Sequence, residues 1–287
     1  MPGSAYTQSV SSIVIDTGNL EDFIRQNPRL VVLTGAGISA SSGIPTYRDK
    51  SGTWLYSQPI QHRDFLESGQ TRRRYWARSM RGWPSIRDAL PNQAHHALAA
   101  LERQGRIDLL ITQNVDRLHQ RAGSRGVVDL HGRLDRVTCL ECDIRLPREQ
   151  VQQQLINRNR DQLDDPAVAR PDGDTQVSET LTATLALPEC PECGGDLMPD
   201  VVFFGGTVPR TRVALCQDHL RRSDALLVVG SSLQVFSGFR FCRSARELGK
   251  PLALINPGQT RADSLASLKL TSPCEPLLES VAKRLSQ

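Results

Sequence analysis

The chain has 287 residues, 39% of them hydrophobic, enough for one sizeable core or for a large and a small unit together. Lysine and arginine total 35 against 31 acids, and the resulting +4 is too small to argue for a nucleic-acid partner, while 5% aromatics leave little for stacking bases. An apolar run long enough to span a membrane, a basic-then-apolar export signal and an even cysteine count are all missing, so a membrane span, secretion and a disulfide framework are not expected and a reducing, cytoplasmic setting is.

Residues 1–12 are polar and small and read as a loose N-terminal tail. Leu20 to Ile24 reads as a first helix, ended before Pro28. Leu30 to Leu33 is a short apolar run with β-branched members, the pattern of a strand buried on both faces. It leads into Thr34-Gly35-Ala36-Gly37, where glycine lets the backbone turn sharply and lets a ligand approach main-chain N–H groups. Ile38, Ser39, Ala40, Ser41 and Ser42 then open a short helix, whose N-terminus favours anions. Strand, turn and helix start make a pyrophosphate cradle of the dinucleotide-binding kind, or else a tight turn with no ligand. The pattern departs from G-x-G-x-x-G: Ala40 holds the third glycine position, and no acid follows about twenty residues on to hold a ribose.

Gly43-Ile44-Pro45 and Tyr47-Arg48-Asp49 continue as a punctuated polar loop, with Arg48 placed to face phosphate. Trp54, Leu55 and Tyr56 would cover a ligand after it. Phe65 to Met80 reads as a helix ending near Gly82-Trp83-Pro84, with Arg72-Arg73-Arg74 as a solvated face. Another helix starts at Pro91 to His95 and stops at Gly105.

Ile107 to Ile111 is a second apolar strand, and catalytic groups often sit at the C-terminal ends of such strands. Gln113, Asn114 and Asp116 stand there, either as an amide and a carboxylate that grip a carboxamide or as ordinary helix N-caps. Val127 to Leu130 is a third strand, followed by His131-Gly132. An imidazole with a pKa of about 6.5 suits general-base work at neutral pH. His95, His96 and His119 are weaker candidates for that role.

Cys139-x-x-Cys142 and Cys190-x-x-Cys193 bring four thiolates within reach of one tetrahedral Zn2+. Four sulfurs leave no open position, so the metal is expected to be structural. Between the pairs, 155–186 reads as an insertion loop, partly ordered at best. Pro199 to Gly206 is an apolar extended run, either an edge that pairs with a peptide or a core strand and turn. Asp224 to Val229 is the next strand; its end, Gly230-Ser231-Ser232, suits phosphate or ribose. A helix over Phe239 to Leu248, a strand over Pro251 to Ile255 ending in Asn256-Pro257-Gly258, a short strand at Leu268 to Leu270 and a closing helix over Pro276 to Leu285 complete the chain. Cys216, Cys242 and Cys274 read as reduced apolar fillers. The alternation predicts an α/β fold with a doubly wound parallel sheet, and the lack of a P-loop lysine favours NAD over a nucleoside triphosphate.

GAGIS, SGIP and YR near the start, TQNVDRLH after the second strand and LHG after the third resemble, in order and spacing, the signatures of the sirtuins, the NAD-dependent protein deacylases. The resemblance covers nearly the whole chain. It implies a discontinuous Rossmann-like NAD-binding domain over 13–45, 92–136 and 200–287. A small domain, helical over 46–91 and a zinc ribbon over 137–199, would pack beside it. Asn114 and Asp116 would bind nicotinamide, Gln113 its ribose and Asn256 the adenosine ribose, with Cys274 near the adenine. Gly35, Ala36, Gly37, Ile38, Ser39, Pro45, Tyr47, Arg48, Trp54, Gly230, Ser231, Ser232, Pro257 and Gly258 would complete the NAD contacts. The substrate backbone would lie between Val202-Phe203-Phe204-Gly205 and a second edge over Leu233 to Gly238, which includes Val235, Phe236 and Ser237. In the implied reaction the acyl-lysine amide oxygen attacks the NAD ribose and nicotinamide leaves. His131 takes a proton from a ribose hydroxyl. The products are deacylated lysine and O-acyl-ADP-ribose.

Tyr75 to Arg78 (YWAR), DVVFFGGTV and INPGQTRAD resemble the class II branch, which includes the sirtuin-4 proteins. Tyr75 and Arg78 are one helical turn apart, so they share a face. In a related branch such a pair reads the carboxylate of succinyl-lysine; here the same two residues could equally be a packed helix face. Other outcomes of the same chemistry are mono-ADP-ribosyl transfer and a preference for longer or acidic acyl groups. A hydride-transfer enzyme is the rival from another class, weakened by the missing ribose acid and the closed metal set. No stable nucleic-acid or membrane partner is expected, and acyl-lysine proteins or peptides are the implied substrates.

Overall fold

Every residue of the strand Leu30–Thr34 (β1) is buried, and the larger sheet is built outward from it. The computed structural model describes residues 16–47, 53, 55, 59–162, 168–169 and 173–287. The tail expected over 1–12 and the residues Arg48, Trp54 and Tyr56 lie outside the described residues.

Before β1 comes helix α1, described over 16–26. After it come a 3-10 helix (Ala36–Ser42), α2 (His62–Glu67), α3 (Gly69–Asp88), α4 (Gln93–Arg103) and β2 (Ile107–Thr112). Next are α5 (Leu118–Arg121), β3 (Val127–Asp129), β4 (Gly132–Cys139), β5 (Arg145–Pro147), α6 (Arg148–Arg158), β6 (Val168–Ala169) and β7 (Thr175–Gln176). Then follow α7 (Glu179–Thr184), β8 (Leu197–Val201), α8 (Arg210–Arg222), β9 (Ala225–Val229), α9 (Phe236–Glu247), β10 (Leu252–Ile255), β11 (Leu268–Leu270) and α10 (Cys274–Arg284).

Six strands form one sheet in the order β11-β10-β9-β1-β2-β3, and every neighbouring pair is parallel. Parallel strands need crossovers, and the helices that make them cover both faces. One face packs α1, α4 and α10 through Leu20, Leu98 and Leu278; the other packs α8 and α9 through Leu220 and Phe241. Each such fully buried aliphatic or aromatic side chain contributes about 1.5–3 kcal/mol. The chain order reverses beside β1, so the C-terminal ends of β1, β2 and β9 border the crevice where such sheets take ligands. Among the described residues no helix is long and apolar enough to cross a membrane.

The second sheet is antiparallel, in the order β5-β4-β8, and packs against α3 and α6 through Trp76, Met80, Val137 and Leu155. Strand β4 continues directly from His131, whose carbonyl accepts from Val202 N at 2.7 Å, tying the two sheets together beside that histidine.

Three expectations are corrected. The helix expected to end near Gly82-Trp83-Pro84 runs on to Asp88 with Pro84 inside it. Proline removes the donor that would meet Met80 O, and Gln152 Nε2 donates to that carbonyl at 2.8 Å instead. The second extended edge expected over Leu233 to Gly238 does not form as a strand: Leu233 has φ 58, and α9 begins at Phe236, three residues before the expected Phe239. Gly238 therefore lies within the helix, buried against Gln113, whose Oε1 would lie 2.7 Å from a Cβ there. The insertion is also more structured than a loop: α6 reaches Arg158, β6 pairs with β7, and Ser178 caps α7 through Leu181 N.

Candidate active site

The turns after β1 and β9 are pressed together. Gly37 N donates to Gly230 O at 2.8 Å and Gly35 N to Val229 O at 3.1 Å. Gly230 has φ 62, and a Cβ on it would lie 2.4 Å from Ile38 N, so only glycine fits. The short helix expected over Ile38 to Ser42 is a 3-10 helix that spans Ala36–Ser42 and buries Ile38 and Ser39.

This turn forms one wall of a cavity of about 920 Å3. Of the residues expected to bind a dinucleotide, Gly35, Ala36, Gly37, Tyr47, Gln113, Asn114, Gly230, Ser231, Ser232, Asn256, Pro257, Gly258 and Cys274 line it. His131 lines it too, as do Val202, Phe203, Phe204, Gly205, Val235, Phe236, Ser237, Tyr75 and Arg78 from the expected substrate set. Ile38, Ser39, Pro45, Asp116 and Gly238 are not part of its wall.

Asp116 sits one layer behind. Its Oδ2 accepts from the Ser39 hydroxyl at 2.7 Å, and Asn114 Nδ2 donates to that same Ser39 oxygen at 3.0 Å. Asp116 Oδ1 accepts from Leu118 N at 2.9 Å, so the carboxylate also opens α5 as an N-cap would. Of the two readings, the Asp116 bond to Leu118 N at the start of α5 is the one these contacts display. Burial pushes the Asp116 pKa up, against the hydrogen bonds from Leu118 N and Ser39. Gln113 Nε2 donates to Ser231 Oγ at 2.7 Å, joining the ends of β2 and β9.

His131 hangs from the end of β3. Its Nδ1 lies 3.0 Å from Gln113 O and its Nε2 2.7 Å from Ser237 Oγ. Burial pushes its pKa down to about 4, with Arg212 and Arg240 acting in the same direction and the Gln113 carbonyl against it. The rings of His95 and His119 meet tilted, with centroids 4.8 Å apart, behind the site and contact Ser39 and Thr34 rather than the cavity. Burial lowers the pKa of both, that of His95 to about 4.

The four cysteines converge as their spacing predicts. All four sulfurs lie within 4.8 Å of one another, with Cys139–Cys193 at 3.5 Å and Cys142–Cys190 at 3.6 Å. Tetrahedral Zn–S bonds place sulfurs roughly 3.8 Å apart, so the set fits one Zn2+. Gly194 N donates to Cys190 O at 2.9 Å, and Glu141 N points at the Cys139 sulfur at 3.4 Å, the knuckle geometry that steadies thiolates. Neither CxxC contributes to the cavity wall.

The sequence reading missed Asp174, Arg240 and Glu275, which also line the cavity. Glu275 follows Cys274 and was one residue from discovery. Nothing in the composition of the insertion marked Asp174.

Residues 35–237 match the family model described as the Sir2 family. The chain is 50% identical to NAD-dependent protein deacetylase 2 of Bradyrhizobium diazoefficiens, over 94% of this chain and 98% of that protein. It is 47% identical to NAD-dependent protein deacylase Sirt4 of Drosophila melanogaster, over 90% of this chain and 84% of that one. The solved structure described as "Sir2-p53 peptide-NAD+" superposes with a TM-score of 0.74 at 30% identity, covering 93% of this chain and 97% of that one. The parallel sheet, the joined glycine turns and these matches together establish that the chain belongs to the Sir2 family.

Proposed function

We propose that this chain is an NAD-dependent protein-lysine deacylase of the class II branch, releasing nicotinamide and O-acyl-ADP-ribose. One observation carries the reading: the glycine turn, Asn114 and the imidazole of His131 border a single cavity together with the 202–205 and 235–237 segments. Relatives named as NAD-dependent deacetylases and deacylases at about half identity support it. NAD supplies the ribosyl carbon that takes the acyl oxygen as nicotinamide departs.

The residues divide the work by their positions. Gly35 to Gly37, their two glycine N–H groups held by Val229 O and Gly230 O, bring bare main chain to the cavity wall so that a pyrophosphate lies close against the backbone. Asn114, backed by Ser39 and Asp116, meets the nicotinamide carboxamide, while Gln113 and Ser231 meet its ribose. His131 is the base: a carbonyl accepts and never donates, so the Gln113 contact puts the proton on Nδ1 and leaves Nε2 free to take one. The Ser237 hydroxyl that now donates to Nε2 marks where a substrate hydroxyl would stand. The Phe203-Phe204 and Val235-Phe236 segments hold the peptide, and Tyr75 and Arg78 border the acyl chain. We read 13–45, 92–136 and 200–287 as the NAD-binding domain and 46–91 with 137–199 as the small domain, whose shape the zinc keeps.

Nicotinamide release from NAD in the presence of acylated peptides tests this, with mass spectrometry of the peptide. Loss of the acyl mass together with O-acyl-ADP-ribose is expected. Gain of an ADP-ribose mass on a protein acceptor would make the chain a mono-ADP-ribosyltransferase instead. Absence of nicotinamide release with every acyl group would overturn the reading.

A further inference from the structure

The cavity wall nearest α3 carries an ion pair. Arg78, on the same helix face as Tyr75, meets Asp174 through its Nη2, and both residues line the cavity. The same cavity is also lined by the aromatic and aliphatic side chains of Tyr75, Leu134, Val201 and Phe203. A guanidinium in such surroundings is a natural anchor for a carboxylate, held by charge-assisted hydrogen bonds. Here it already has one.

Asp174 comes from the insertion, and its position is built rather than incidental. Gly173, at φ 66, lies so close to α3 that a Cβ on Gly82 would sit 2.1 Å from Gly173 O. Thr175 is buried, its hydroxyl donates to Arg78 O at 2.8 Å, and Arg78 Nε donates back to Thr175 O at 3.0 Å. Thr175 N donates to Asp174 Oδ1 at 2.9 Å, which orients the carboxylate so that Oδ2 faces the guanidinium. Backbone docking, a reciprocal side-chain lock and an oriented acid all serve one contact.

We propose that Asp174 determines acyl specificity by neutralising Arg78, so that the site takes uncharged acyl-lysines and turns away those ending in a carboxylate. The inference rests on the deacylase reading above. A succinyl or glutaryl group reaching this wall would have to displace Asp174 from a locked position or lie beside it as a second anion. Repulsion between like charges is strong in a partly desolvated cleft. An acetyl or longer neutral acyl group meets a wall with no net charge.

Asp174→Asn is the test, because the amide keeps an oxygen for Thr175 N and removes only the charge. Parent and variant are assayed for kcat/KM on acetyl-lysine and succinyl-lysine versions of one peptide. The parent is expected to favour acetyl by about tenfold or more, and the variant to shift the ratio toward succinyl by about tenfold. Adding Arg78→Leu to Asp174→Asn is expected to cancel that shift, since the freed guanidinium is what recruits the carboxylate. Thermal unfolding of each variant confirms a folded protein. Acetyl turnover with an unchanged ratio in Asp174→Asn overturns the role of Asp174 alone, as does a parent that already prefers succinyl. A parent that turns over neither peptide overturns the deacylase reading and this inference with it.

Discussion

His131 Nε2 and the Ser237 hydroxyl stand 2.7 Å apart, while Nδ1 of the same ring faces the Gln113 carbonyl at 3.0 Å. The pair of contacts selects one tautomer, with the lone pair turned to the cavity. Burial holds the ring neutral down to about 4. The rate on an acetyl peptide is therefore expected to stay level from about pH 8 to about pH 5 and to fall only near the depressed pKa, below the usual histidine range of about 6.5. A kcat/KM profile over that range checks this, and a break near the free imidazole value would show an open, hydrated ring. His131→Ala is expected to lose at least about a hundredfold in turnover while still binding NAD, measured by calorimetry.

Ser39 is off the cavity wall yet bonded to both Asp116 and Asn114. Ser39→Ala leaves a buried carboxylate short of a donor and an amide short of an acceptor. Such a loss is worth about 1–3 kcal/mol, so nicotinamide release is expected to slow by about 10- to 100-fold, with the fold intact. Single-turnover assays distinguish this from weaker peptide binding, which the variant should leave alone.

His119 is wholly enclosed, its Nε2 lies 2.9 Å from Thr34 Oγ1, and among the described residues its Nδ1 has no partner. Its pKa lies well below the ordinary value because burial disfavours the cation. The unfolded chain takes up a proton at this residue below about pH 6.5 and the folded chain does not, so stability falls as the pH drops through that value. In His119→Asn, stability measured by urea unfolding is expected to fall less steeply, by about 1.4 kcal/mol per pH unit between about pH 6 and about pH 5. Equal slopes in the two proteins would mean that the ring titrates in the folded state.

Cys139 and Cys190 belong to the buried core of the smaller sheet, alongside Trp76 and Leu197. Zinc bound there joins both CxxC knuckles. One zinc per chain is expected by elemental analysis. Its removal by a strong chelator should lower the melting temperature and abolish deacylation, because metal binding at such sites is folding free energy. Cys142→Ser, at an exposed ligand, should reproduce both effects. Full activity without metal would detach this lobe from the site.

Much was legible in advance where neighbouring residues share one task. The strand Leu30–Thr34 with its glycine turn, Gln113 and Asn114 at the end of β2 and the two CxxC pairs are local patterns; the structure brings the turn and the two amides to one cavity and the four sulfurs together. Elements that depend on distant partners were misread. Pro84 looked like a helix end until Gln152, 68 residues on in the chain, was seen to serve the orphaned Met80 carbonyl. Gly238, expected in an extended edge, lies inside α9, where its missing side chain lets Gln113 pack against it. The order of burial was also hidden: Asp116 and Ser39 read as ligand contacts and lie one layer behind the wall.

By itself the sequence determined the parallel sheet, the cradle, the zinc set and the imidazole, because hydrophobic period, glycine turns and ligand spacing are written within short windows. Only the tertiary structure decided that the His131 ring is enclosed between Gln113 and Ser237 and that Arg78 is already paired. Protonation and charge balance depend on what surrounds a group in space, and Gln113, Ser237 and Asp174 reach those sites from remote parts of the chain.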